Sequence, residues 1–187
     1  MSLPEFLSIL KNNWEGEEVL RHVNLHVPAG STVALVGETG AGKSTLVNLV
    51  CRFYDPTKGR VLIDGRDARE RSQLWLHSSL GYVLQTPHLF SGSVAENLRY
   101  GNPNATEEEM EAVLREIDAW RIVERMGKGL ASDVGEGGDL LSTGEKQLLS
   151  FARVMLANPS ILVLDEATSS VDSHTEQLIQ RATERVS

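Results

Sequence analysis

Short apolar runs alternate along this chain with segments whose apolar residues recur at helical spacing. Residues 32–36, 81–85 and 161–165 are short, apolar and rich in β-forming residues, which predicts buried strands. Residues 59–65 alternate between polar and apolar positions and are bracketed by glycines, which predicts a hairpin strand. Strands that alternate with helices are typical of an α/β domain with a largely parallel sheet.

Helical spacing predicts helices over residues 46–54, 106–117 and 143–156 and a last helix that begins at Asp172 or Ser173. The second of these opens with Thr106 and three glutamates, which resembles a capping box. The glycine-rich residues 127–138 predict a loop.

Composition narrows the class of protein. The chain has 187 residues, of which 41% are hydrophobic and 24% charged, as in one soluble globular domain. Its net charge of −8 argues against a surface built to bind nucleic acid or anionic lipid. Its single cysteine, Cys51, allows no intrachain disulfide and is expected to pack in the core. No apolar stretch approaches the roughly 20 residues that span a bilayer, so we expect no direct membrane insertion.

Residues 37–44 read Gly-Glu-Thr-Gly-Ala-Gly-Lys-Ser and fit G-x-x-x-x-G-K-[ST] at every fixed position. Glycines let successive N–H groups turn toward a phosphate, and the following helix directs its positive end at the same anion. Lys43 is expected to contact the β- and γ-phosphates, and the Ser44 hydroxyl to bind Mg²⁺. The alternative is a glycine-rich turn with an incidental lysine, which the predicted strand before it and helix after it disfavour.

Two carboxylates, Asp165 and Glu166, follow the apolar run at residues 161–164. Ligands of parallel sheets lie at the carboxyl ends of the strands. We therefore expect Asp165 to act in the Mg²⁺ site and Glu166 to orient and deprotonate the attacking water. The alternative is a strand that ends in two solvated acids.

Residues 141–147, Leu-Ser-Thr-Gly-Glu-Lys-Gln, resemble the signature Leu-Ser-Gly-Gly-Gln of the ABC ATPase family. Gln85 falls where that family has its glutamine loop, residues 169–172 where it has its D-loop, and Trp14 where an aromatic residue stacks on adenine. Residues 89–98 and 133–138 resemble two segments of the exporter branch.

The resemblance implies a P-loop NTPase core with a largely parallel sheet, an antiparallel β subdomain and a helical signature subdomain. Residues 1–90 and 158–187 would form the core with the β subdomain, and residues 91–157 the helical subdomain. The implied nucleotide-binding residues are Trp14, Gly37, Glu38, Thr39, Gly40, Ala41, Gly42, Lys43, Ser44, Thr45, Gln85, Ser142 and Gly144. Ser44, Gln85 and Asp165 would bind Mg²⁺, and Glu166 and Gln85 would be catalytic.

The implied activity is hydrolysis of Mg-ATP in a head-to-tail dimer with a second nucleotide-binding domain. Ser142 and the Gly144 N–H would face the γ-phosphate held by the partner domain. The dimer would power export through transmembrane domains, as a peripheral protein at the cytoplasmic side of the inner membrane. The cargo cannot be read from this chain.

The chain departs from the family pattern in its signature and at its end. Thr143 and Glu145 replace a glycine and a glutamine, and Glu145 adds a negative charge near an anion. The chain ends at Ser187, before the family's switch histidine and its strand, so we expect a fragment that is less stable and hydrolyses ATP slowly. These departures leave open a degenerate partner that mainly binds ATP in a heterodimer. A DNA-maintenance ATPase is disfavoured, because the long coiled-coil insertion of that class is absent.

Overall fold

The structure, a computed structural model, describes residues 7–10, 13–14, 17–84 and 86–164, with side chains for residues 19–84 and 86–164. The chain divides into two compact units, one ending at Leu80 and the other beginning at Gly81. Each unit has its own secondary structure and its own buried residues. The predicted last helix lies outside the described residues.

The first unit is built on antiparallel strands. They are β1 (Leu7–Leu10), β2 (Asn13–Trp14), β3 (Glu17–Glu18), β4 (Val23–Leu25), β5 (Lys58–Ile63) and β6 (Arg66–Asp67). The order β4-β1-β5-β6 makes one sheet, in which Leu7 is opposite both Leu25 and Val61, and β2 pairs with β3 separately. These antiparallel pairings agree with the predicted antiparallel β subdomain.

The predicted hairpin strand is confirmed as β5, which turns directly into β6. The two turn residues, Asp64 and Gly65, have φ values of 53° and 70°. A two-residue turn with positive φ at both positions matches the right-handed twist of the strands it joins, and Asp-Gly is a favoured pair for it. The local sequence therefore specifies both the turn and the register.

The predicted strand at residues 32–36 is wrong in the described structure. These residues belong to no ladder among the parts of the chain that the structure describes, and Val36 is 92% exposed. A strand depends on a neighbour that pairs with its N–H and C=O groups. The sheet of this unit is made by β4, β1, β5 and β6, so residues 32–36 stay unpaired with exposed apolar side chains.

Two helices complete the first unit: α1 (Lys43–Val50) and α2 (Gln73–Ser78). The first begins three residues before the predicted start at residue 46, directly at Lys43, and ends at Val50 rather than at residue 54. Leu49 in this helix and Cys51 at its C-terminal end are buried, and burial raises the pKa of the Cys51 thiol to about 11. Cys51 is thus a core residue with little thiolate at neutral pH, as its apolar context predicted.

The second unit is mainly helical. Its elements are β7 (Leu80–Val83, which starts at the boundary), α3 (Val94–Arg99), α4 (Glu107–Glu116), α5 (Trp120–Met126), α6 (Thr143–Ala157) and β8 (Ile161–Leu164). The long helix α6 packs against α3 and α4, and β7 pairs with β8. Its apolar cluster includes Leu89, Leu98, Met110, Leu114, Leu148 and Phe151. Among the described residues of this unit, the predicted strands and helices are confirmed within a few residues.

Three helices of this unit, α3, α4 and α6, begin with the same device. Ser93, Thr106 and Ser142 each cap a helix, and the glutamate three residues later returns a hydrogen bond to the cap's backbone N–H. Such capping boxes satisfy helix N–H groups that have no intrahelical partner. None of the helices described is long and apolar enough to cross a bilayer.

A buried asparagine joins α3, the segment before it and α6. The Asn97 side chain is 1% exposed and makes four hydrogen bonds. Its Oδ1 accepts from the Phe90 N–H (2.9 Å) and from Arg153 Nη2 (3.1 Å). Its Nδ2 donates to the carbonyl oxygens of Phe90 (2.8 Å) and Ser93 (3.1 Å). The amide is therefore fully satisfied in an apolar surrounding.

Candidate functional site

The glycine-rich loop at residues 37–42 leads directly into α1. Gly42 precedes the helix without a side-chain cap, and the first intrahelical bond runs from the Leu46 N–H to the Gly42 carbonyl (2.9 Å). The N–H groups of Lys43, Ser44 and Thr45 therefore have no intrahelical acceptor. Helix N–H groups of this kind, with the positive end of the helix dipole, bind anions.

Gly42 is required for two separate reasons. Its φ of 88° is a left-handed conformation that favours glycine, and Gly40 has a φ of 87°. A Cβ added to Gly42 would also lie 2.7 Å from the Leu20 Cδ2 atom. A side chain at Gly42 would therefore strain the backbone and require the Leu20 side chain to move.

The Lys43 side chain folds back over this loop. Its Nζ donates to the carbonyl oxygens of Gly37 (2.6 Å) and Glu38 (2.9 Å). An ammonium has three N–H donors, so this arrangement leaves one for a further acceptor. The loop residues 37–41 and Ser44 are exposed, so an anion and a metal ion have access to them.

These residues fit the phosphate groups of a nucleotide and an accompanying Mg²⁺. The loop offers N–H groups without intrahelical acceptors at the start of α1, a cation at Lys43 and an accessible hydroxyl at Ser44. Among the described residues no cluster of three His, Cys, Asp or Glu could hold a metal ion by itself. Ser44 would hold a Mg²⁺ that is bound together with the phosphates.

The predicted signature, residues 141–147, lies at the start of α6 in the second unit. Ser142 is the N-cap, and its Oγ accepts from the Glu145 N–H (3.3 Å). Glu145 Oε2 accepts in return from the Ser142 N–H (2.9 Å). The Ser142 hydroxyl retains its own proton for donation, and Ser142 is exposed whereas Gly144 is buried.

Glu145 has a partner that the sequence did not reveal. Arg125, the penultimate residue of α5, donates to Glu145 Oε1 over 2.6 Å. Partial burial alone would raise the pKa of the Glu145 carboxyl. The hydrogen bonds from Arg125 and Ser142 outweigh burial and lower this pKa below its usual range. The negative charge that sets this signature apart is thus stably ionised and paired with a cation.

The two exporter-like segments are joined to each other. Ser93 and Asp133 form an antiparallel β-bridge. The Val94 N–H donates to the Ser132 carbonyl and the Val134 N–H to the Gly92 carbonyl, both over 2.9 Å. We call this contact of residues 92–94 with residues 132–134 the backbone joint.

Several predicted site residues lie outside the described part of the chain. These are Gln85, Asp165, Glu166 and residues 169–172. The backbone of Trp14 lies in β2 opposite Glu17, and its side chain is outside the described atoms. The structure therefore gives the geometry of the phosphate loop and of the signature separately, one in each unit.

Comparison with known proteins adds a family and a fold. A family model described as ABC transporter matches residues 20–169. A probable multidrug resistance ABC transporter ATP-binding/permease protein of Bacillus subtilis is 47% identical over 178 residues, 95% of this chain and 26% of that protein. A fatty acid ABC transporter ATP-binding/permease protein of Mycobacterium bovis is 50% identical over 167 residues, 89% of this chain and 26% of that protein.

Among solved structures, a bacterial Atm1-family ABC exporter with ATP bound matches with a TM-score of 0.90 and 39% identity. The match covers 99% of this chain and 33% of the exporter chain. The chain therefore spans about a quarter to a third of the length of these bacterial relatives. The fold class predicted from the sequence is confirmed by this likeness.

Proposed function

This chain belongs to the ABC transporter family as an ATP-binding domain, and we propose that it binds and hydrolyses Mg-ATP to power export across a membrane. The observation that carries this proposal is the exposed phosphate loop at the start of α1, where Lys43 Nζ lies against the carbonyl oxygens of Gly37 and Glu38. The N–H groups at the start of α1 and the ammonium provide the positive charge that a triphosphate needs.

The remaining groups of the nucleotide site come from the family pattern. Ser44, Gln85 and Asp165 would hold Mg²⁺, which neutralises charge between the β- and γ-phosphates when bound. Glu166 would deprotonate the attacking water, and Gln85 would help to position it. Trp14 would stack on the adenine ring.

We propose that the active form is a head-to-tail pair with a second nucleotide-binding domain. Ser142 and the Gly144 N–H would then contact the γ-phosphate held by the partner. The capping geometry supports this role, because the N–H groups of Thr143 and Gly144 begin α6 without intrahelical acceptors. The Ser142 hydroxyl can donate a further hydrogen bond at the same end of the helix.

The transport step requires transmembrane domains, which we propose as partners at the cytoplasmic side of the inner membrane. The names of the relatives combine an ATP-binding part with a permease. We assign residues 1–90 and 158–187 to the core with the β subdomain and residues 91–157 to the helical subdomain. Closure of the paired domains on ATP would move the membrane partners between two states.

The direct test is nucleotide binding by Lys43→Ala. This variant should lose measurable binding of a fluorescent ATP analogue, because it removes the cation from the phosphate loop. Lys58→Ala is the matched control, since Lys58 is an exposed lysine on β5 of the same unit. Unchanged affinity in a folded Lys43→Ala variant would exclude this loop as the nucleotide site.

Thr143 and Glu145 in the signature support a second candidate function, a partner that binds ATP and hydrolyses little. Glu166→Gln separates the two candidates, because it removes the proposed base and keeps the side-chain size. In a hydrolysing domain it should trap ATP and yield a dimer by light scattering with Mg²⁺. If turnover is unchanged in this variant, Glu166 is not the base.

A further inference from the structure

We propose that Arg125 is a positioning residue for the signature of this chain: it neutralises Glu145 and holds it away from the partner's phosphate. This inference rests on the proposed function, because it assigns a role at the same signature. Arg125 acts through Glu145 and not on the nucleotide. This role is inferred from the contacts that Arg125 makes with Glu145, which the signature sequence does not reveal.

The two oxygens of Glu145 have separate partners. Oε1 accepts from Arg125 Nη1 (2.6 Å), and Oε2 accepts from the Ser142 N–H (2.9 Å). Both oxygens are therefore engaged on the protein's own donors. The carboxylate is fixed in one orientation, which also fixes the cap residue Ser142 through the reciprocal bond to its Oγ.

Holding the Glu145 carboxylate in one orientation does not by itself remove the effect of its negative charge on phosphate binding. A carboxylate in the first turn of a helix interacts favourably with the positive helix end. It thereby reduces the field that the same helix end offers to an incoming phosphate. The Arg125 guanidinium restores a net charge of zero to the pair, so the attraction for the phosphate is retained.

The exposures of the two side chains agree with this division of roles. The Glu145 side chain is 18% exposed, whereas the Arg125 side chain is 60% exposed. A partly buried carboxylate without its cation would interact strongly with nearby anions, because little solvent screens it. Because the Arg125 guanidinium is exposed to solvent, we expect its removal to weaken nucleotide binding only modestly.

The test is a double-mutant cycle measured as ATP turnover, with R125Q, E145Q and R125Q/E145Q in this chain. R125Q should raise the KM for ATP by about three- to fivefold and change kcat less, as expected for a partly exposed charge pair. In the E145Q background, R125Q should have no further effect on KM. R125K keeps the charge and should raise KM less than R125Q does. Higher salt should diminish the effect of R125Q.

Arg121→Gln is the matched control. Arg121 is an exposed arginine of the same helix and pairs with Asp118. Its replacement should leave the KM for ATP within about twofold of the parent. A comparable rise in KM for Arg121→Gln and R125Q would overturn the proposal, since it would reflect the loss of any positive charge on α5.

A second readout does not depend on hydrolysis. The same cycle in thermal unfolding should show an interaction between positions 125 and 145, and no interaction would overturn the pairing itself. If the two positions interact in thermal unfolding but R125Q leaves the KM for ATP unchanged, the positioning role is wrong. Two other results would instead overturn the proposed function on which this role depends. One is that the parent chain shows no ATP turnover, and the other is that Lys43→Ala leaves its turnover unchanged.

Discussion

Replacing Asn97 with leucine should be among the most destabilising single changes in the second unit. The Asn97 amide makes four hydrogen bonds while only 1% exposed, to the backbone of Phe90 and Ser93 and to the side chain of Arg153. Leucine has a similar volume, so the change removes the polar atoms without creating a large cavity. Those partners lose their acceptor or donor inside the protein.

The magnitude follows from the number of groups left without a partner. Each net hydrogen bond contributes about 1 kcal/mol, and a buried group without a partner costs about 1–3 kcal/mol. The apolar surroundings favour a leucine side chain, which offsets part of this loss of stability. We therefore expect a loss of about 3–5 kcal/mol in the free energy of unfolding, or roughly 10 °C in Tm for a chain of this size.

The assay is thermal and urea unfolding followed by circular dichroism, with Asn104→Leu as control. Asn104 is exposed in the loop before α4, so its replacement should change stability by less than about 0.5 kcal/mol. If Asn97→Leu costs less than about 1 kcal/mol, the four hydrogen bonds contribute little, and solvent or repacking must satisfy their partners.

Further predictions concern a glycine, a buried amide and a carboxylate. Gly42→Ala should cost more stability than Gly30→Ala in thermal unfolding. Both glycines have positive φ, but only at Gly42 would an added Cβ approach Leu20. If the two variants lose the same stability, the contact with Leu20 does not contribute. Gln147→Met should raise stability by about 1–2 kcal/mol, because both amide atoms are buried without a hydrogen-bond partner in the described structure. If Gln147→Met instead lowers the stability measured by urea unfolding, the Gln147 amide has a hydrogen-bond partner. The stability advantage of the parent over Glu145→Gln should be present above about pH 4.5 and disappear as pH falls through the lowered pKa of Glu145. A difference that does not vary with pH would contradict this.

Elements specified by local signals could be predicted from the sequence. Thr106 and Glu109 form the capping box that opens α4, and Asp64-Gly65 forms the turn between β5 and β6. In each case the residues that determine the structure are neighbours in sequence, so pattern and geometry coincide.

Features that depend on a distant partner could not be predicted. The apolar run at residues 32–36 contains no information about which strand would pair with it, and the described structure gives it none. The sequence presented Glu145 as an extra charge, because nothing in its spacing points to Arg125 on another helix. Likewise, no local pattern around Asn97 indicates that its side chain is buried.

The backbone joint has a consequence for how this surface can diversify. Its two hydrogen bonds and its bridge involve only main-chain atoms of residues 92–94 and 132–134. Main-chain pairing is largely indifferent to the side chains that it carries. The link between α3 and the loop before α6 therefore does not depend on the exposed side chains of these segments, such as that of Asp133, which can change without breaking it.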